Sequence, residues 1–149
     1  MKKLLIMLLV SLASASLGFA QTRKSVSGAE VTGTFRSYFK GKFKGNFNEI
    51  KIQALGKGKL KIAFGLTYPF VDGTGALDAN VGEAEGTADI EADTAVFSSK
   101  ADEESCKIVI KFVKQGQIKV SQDGSCGFGL NVSSDGTYQK VSNAKPKFN

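Results

Sequence analysis

The chain has no histidine and no tryptophan, and only two prolines, two cysteines and two methionines among its 149 residues. Without histidine there is no His-based triad and none of the commonest zinc sites. Long apolar runs are also missing. The longest, residues 4–10, is shorter than the roughly 20 residues a spanning helix needs, so no transmembrane segment is expected. Past the first 20 residues no long stretch carries apolar residues at helical spacing, which points to strands.

That first stretch reads as a secretory signal. Lys2 and Lys3 precede the apolar residues 4–10, and Gly18-Phe19-Ala20 offers a cleavage point before Gln21. No cysteine lies near the junction, so lipoprotein processing is not expected; a retained amphipathic anchor is the alternative reading. A periplasmic or extracellular location follows, in which the even pair Cys106 and Cys126 favours a disulfide over a metal site or a thiol nucleophile. The expected organisation is a signal peptide over 1–20 and a flexible segment over 21–30. A β domain over 31–142 and a polar tail over 143–149 complete it.

Alternation of apolar and polar residues marks the strands. Ile50, Ile52 and Ala54 share one face, as do Leu60, Ile62, Phe64 and Leu66, and Ile108, Ile110 and Phe112. Strands are predicted over 31–39, 49–55, 59–66, 81–91, 94–98, 107–112, around Ile118 and Val120, and over 136–141. Eight strands in sequential order predict an all-β antiparallel meander, closed or nearly closed into a barrel, with a β-sandwich as the alternative. The similar segments Gly33-Thr34-Phe35-Arg36 and Gly136-Thr137-Tyr138-Gln139 suggest the first and last strands of a seam. A hairpin turning over Gln115-Gly116-Gln117 would set Phe112 opposite Val120 and Cys106 opposite Cys126, within disulfide reach.

Charge is unevenly spread along a chain of net charge +6, which loss of Lys2 and Lys3 would reduce to +4. Residues 36–61 hold eight basic side chains against Glu49, whereas residues 78–104 hold nine carboxylates against Lys100. Within the acidic stretch, Glu83, Glu85, Asp89 and Glu91 fall on one face of a strand. Gly82, Ala84, Gly86, Ala88 and Ile90 fall on the other, where small residues leave room for phenylalanines. The acidic stripe is a candidate surface for a basic partner; the plainer reading pairs Lys61 with Asp89 and Lys59 with Glu91 across strands, for about 0–1 kcal/mol each. Residues 72–80 carry oxygen ligands and glycines without the spacing of an EF-hand loop, so a hairpin connection is expected there rather than calcium.

The segment 38–47 interleaves bases with aromatics. Lys40, Lys42, Phe43 and Lys44 would suit an anionic glycan or lipid headgroup, with nucleic acid not expected for an exported chain. The plainer reading makes it a glycine turn whose phenylalanines enter the core. No motif assigns catalysis: with the cysteines bridged no thiolate remains, and the roles an active site requires are unfilled. A non-enzymatic protein without cofactor or metal is expected.

Cys106-Lys107-Ile108-Val109-Ile110-Lys111-Phe112, then Cys126-Gly127-Phe128-Gly129, Asn131-Val132 and Asp135-Gly136-Thr137-Tyr138, resembles a family of small exported bacterial β-proteins, largely uncharacterised. The resemblance runs from Gly82 to Phe148. More weakly, the size, export signal, bridge and barrel order are similar to bacterial inhibitors of host lysozyme. Those insert a loop of serine and basic residues into the lysozyme cleft, and their tryptophan-bearing segment has no counterpart here. The resemblance implies an exported binding protein, an inhibitor of a cationic secreted enzyme such as lysozyme. Two alternatives stand beside it: a lipocalin-like carrier of a small apolar ligand beside Phe64 and Phe112, and an envelope protein contacting glycan or lipid.

Overall fold

The computed structural model describes residues 25–99 and 106–148; the signal sequence expected at 1–20, and Lys100 with the last three carboxylates of the acidic stretch, lie outside them. Eight strands follow in order: β1 Gly33–Tyr38, β2 Phe47–Gly56, β3 Lys59–Val71, β4 Leu77–Glu91, β5 Thr94–Ser99, β6 Cys106–Lys114, β7 Gln117–Asp123 and β8 Gly136–Ser142. Each pairs antiparallel with the next, and β8 pairs with β1 through Phe35↔Lys140 and Arg36↔Gln139. The barrel is therefore closed, at the seam between the two similar segments, and the sandwich alternative falls away.

The alternating residues face inward as their spacing requires. Phe35, Ile50, Ile52, Ile62, Ile108, Ile110 and Ile118 are fully buried in one core cluster. The small inward residues of β4 are matched by aromatics: Phe97 packs over Gly86, and Phe128 with Val132 over Gly82. Phe64 meets Phe97 edge-on at 5.1 Å and lies 6.3 Å from Phe128, so the space beside it is filled. Phe35 meets Phe112 edge-on at 6.3 Å, and a pocket of about 150 Å³ lined by both rings with Val26, Glu30, Asp93 and Gln115 remains beside them at the lower mouth. Tyr138 is buried among these side chains, donates to the Ser134 carbonyl at 2.8 Å, and is held neutral by burial far above the usual phenol range.

Both mouths are stoppered. At the lower mouth a short helix, α1 (Gly28–Val31), opens on a capping box between Ser27 and Glu30 and inserts Val31 into the core. Lys140 ties this plug down by donating to the carbonyls of Glu30 at 2.7 Å and Thr32 at 2.9 Å, and its burial lowers its proton affinity. At the upper mouth Phe128 and Val132, from the β7–β8 connection, pack onto the core. The C-terminal segment lies on the barrel, with Pro146 buried and the Phe148 ring under the Lys61 ammonium at 4.5 Å.

Two registers differ from the sequence expectation. The β6–β7 hairpin turns over two residues, Gln115-Gly116, with Gly116 at φ 73 and a bulge after Phe112. Phe112 therefore faces Ile118, not Val120, and the ladder ends at Lys107↔Asp123. The disulfide forms nonetheless, because Gly124, Cys126 and Gly127 adopt positive φ and curl the chain back, leaving the two Cα atoms 4.6 Å apart. On β3–β4, the turn over 72–76 fixes Lys59 opposite Asp89 and Lys61 opposite Thr87, two residues from the expected pairing. That hairpin is also longer than predicted, reaching Val71 and starting again at Leu77.

Candidate functional site

The loops joining β1 to β2, β3 to β4 and β7 to β8 all leave the same end of the barrel, the upper rim, because alternate connections of an antiparallel meander share an end. The basic-aromatic segment is the first of these. After β1 the chain makes a 3-10 turn, Gly41–Phe43, flanked by Gly41 at φ 62 and Gly45 at φ 106, conformations that glycine adopts without steric cost. Backbone bonds from Phe39 to Asn46, Lys44 to Gly41 and Asn46 to Phe43 hold the loop in one shape.

Lys40, Lys42 and Lys44 are exposed on this loop, and among the described residues none has a carboxylate within 4.0 Å. Phe39, Phe43 and Phe47 are half-buried and none joins the core, so the expectation that they turn inward is corrected. Their positions follow the 3-10 turn, which lifts the segment off the barrel axis. Lys42 lies 5.0 Å from the Phe43 ring centroid, and Arg36 stacks over Phe47 at 4.0 Å while its Nε donates to Glu49 at 2.7 Å. The Glu49 carboxylate holds the Arg36 guanidinium protonated beyond its ordinary range. An open hollow of about 510 Å³ remains between Tyr38, Phe39, Lys40, Gly41, Lys44 and Gly45. Its apolar floor and basic margin suit a group with an anionic head and an apolar flank.

The acidic stripe lies on the outer wall of β4, as predicted, but its charge is half spent within the fold. Asp89 is paired with Lys59, and Glu85 with Lys61 at 2.8 Å. Glu83 and Glu91 are exposed, and among the described residues neither forms an ion pair. The structure thus separates the stripe from the basic loop: one on the wall, one on the rim. Among the described residues no group of three or more His, Cys, Asp or Glu side chains converges as metal ligands. The 72–80 connection is an Asx-type turn, in which Asp72 accepts from Thr74 N at 2.8 Å, Thr74 Oγ1 at 2.7 Å and Ala76 N at 2.9 Å. The Thr74 hydroxyl and these amides hold its carboxyl below the ordinary range.

A feature not anticipated from the sequence is the part of β3–β4 that stands above its neighbours. β2 pairs with β3 only as far as Gly65, and Asn48 accepts from Thr67 N at 2.7 Å; β5 pairs with β4 only from Ala88 downward. Pro69 was the sole signal that this stretch lacks a neighbour on one edge, since proline is confined to strand edges. No family model, curated protein or solved structure matches this chain.

Proposed function

We propose that the protein is an exported, non-enzymatic binding protein whose upper rim holds anionic groups of the cell envelope, the phosphates or carboxylates of lipid or glycan. The observation that carries this is the set of three exposed lysines, fixed by a hydrogen-bonded loop beside an apolar hollow and left without an acidic partner among the described residues. Export rests on the signal sequence before Gln21 and on a disulfide, which persists in oxidising compartments. No helix among the described residues is long and apolar enough to cross a membrane, in keeping with attachment from outside the bilayer. The aromatics packed around Phe64 and the small volume of the pocket beside Phe112, about 150 Å³, favour a surface site over interior carriage. The test is retention of the chain, recovered after export, on anionic vesicles and on an anionic polysaccharide across a salt series. Retention on either that weakens with salt supports the reading; retention on neither removes it.

A second reading, inhibition of a cationic secreted enzyme, draws on Glu83 and Glu91, the two stripe carboxylates that keep their charge. It predicts salt-sensitive binding to lysozyme that is weakened in Glu83→Gln/Glu91→Gln. Full lysozyme activity in the presence of excess protein would dismiss it.

A further inference from the structure

The large apolar side chains that stand exposed are unevenly distributed. Of nine among the described residues, Leu55, Val113 and Val141 lie toward the lower rim, whereas Tyr38, Tyr68, Val71, Leu77, Val81 and Leu130 lie at the upper rim or on the hairpin above it. Leu130 is 77 % exposed, Val81 65 % and Leu77 64 %.

The hairpin orders them further. Residues paired across two strands share a face, so Thr67, Pro69 and Val71 of β3 lie on one face with Val81, Ala79 and Leu77 of β4. That face carries no charge, and while Pro69 on it is buried, Val71, Leu77, Ala79 and Val81 are exposed. It continues the outer wall, where the next pairs down are Gly65↔Glu83 and Ala63↔Glu85, so the surface changes from charged to apolar within one pair. Val71 lies four residues beyond Thr67, placing the tip roughly 13 Å above the last contact with β2. At the tip the amide of Asp72 donates to Ala76, those of Thr74 and Ala76 to the Asp72 carboxylate, and that of Gly75 to the Asp72 carbonyl. The amides of Asp72, Thr74, Gly75 and Ala76 are thus met within the turn, around the Asp72 carboxylate.

We infer that the upper rim docks on an anionic phospholipid bilayer, with the uncharged face of the β3–β4 hairpin entering the interface and Lys40, Lys42 and Lys44 meeting the headgroups. This rests on the anionic-surface reading and commits it to lipid. A glycan would use the lysines but gives Val71, Leu77, Val81 and Leu130 nothing to enter. The reach of the tip is comparable with the roughly 5–10 Å to which amphipathic segments bury their apolar face. Asp72 and Asp78, the acidic residues of the tip, bond to backbone amides of their own turn and strand end; the rim also carries exposed Asp123 and Asp135, beside β7 and β8, against Lys40, Lys42, Lys44 and Lys107.

The chain has no tryptophan, so Leu77→Trp introduces a sole reporter at an exposed position. The exported Leu77→Trp protein, mixed with phosphatidylglycerol-containing vesicles, is expected to co-sediment and to shift its emission to the blue, with neither change on phosphatidylcholine alone. Val81→Asp in the same background should lower partitioning about tenfold or more. Co-sedimentation without a blue shift overturns hairpin entry but leaves headgroup binding by the lysines intact. Equal shifts on both vesicle types overturn the assignment of anionic lipid. Absence of binding to either overturns the bilayer inference, and retention on anionic polysaccharide then decides separately whether the anionic-surface reading survives.

Discussion

A Cβ placed on Gly82 would lie 2.8 Å from Phe128 Cδ1 and 2.9 Å from Val132 Cγ1, and both neighbours are seated against the core from the β7–β8 connection. Gly82→Ala should therefore overpack this end of the barrel and cost about 1–3 kcal/mol. Gly65, on the outer wall with nothing within 4 Å of its would-be Cβ, is the matched control, and Gly65→Ala should change stability by less than about 0.5 kcal/mol. Urea unfolding of the two disulfide-intact variants checks this, and equal losses would contradict the packing described. That β4 keeps small residues inward to admit aromatics is legible in the alternation of residues 82–91. Which aromatic arrives is not, because Phe128 comes from a loop far along the chain whose path depends on positive φ at Cys126 and Gly127. The charged residues divide similarly. Their faces follow from strand period, but the partner of each lysine on β3 depended on the length of the 72–76 turn, and the expected pairing was displaced by two residues.

Among the elements, the hairpin of β6 and β7 carries the bridge across 20 residues of sequence and fastens the segment that brings Phe128 to the upper mouth. Replacing both cysteines by serine should lower stability by about 3 kcal/mol. It should also raise amide exchange in residues 126–132 more than in β2 or β3. A change below about 1 kcal/mol with uniform exchange would mean the bridge contributes little to holding the mouth closed. The pairing of the cysteines was readable from their even number and the expected signal sequence, although the directly opposed register that suggested it was not the one adopted. Strand existence was readable wherever one face is buried and the other wet. It failed above Leu66, where Tyr68 and Phe70 alternate with Pro69 and Val71 and both faces are largely apolar, so period 2 carries no contrast. A hairpin projecting past its neighbours has just that composition, and the candidate docking end was missed for the same physical reason. The basic loop was legible as a candidate because lysines interleaved with aromatics are a property of the sequence in any conformation.

For the molecule as a whole, charge and apolar surface are sorted by height. The wall of β3 and β4 pairs Lys59 with Asp89 and Lys61 with Glu85, and stays acidic through Glu83 and Glu91. The upper rim combines Lys40, Lys42 and Lys44, which have no carboxylate within 4.0 Å among the described residues, with exposed apolar side chains. Juxtamembrane lysines contribute about 1 kcal/mol each at an anionic surface, so three together correspond to a change in partitioning on the order of 100-fold. Attraction of this kind weakens as added salt shortens the screening length toward a few ångströms. The most direct test is the partition coefficient of the disulfide-bonded protein on phosphatidylglycerol-containing vesicles, measured for wild type and for Lys40→Gln/Lys42→Gln/Lys44→Gln in the same low-salt buffer. The account predicts wild-type binding and a loss on the order of 100-fold in the triple variant with the fold unchanged; equal partitioning of the two proteins would contradict it.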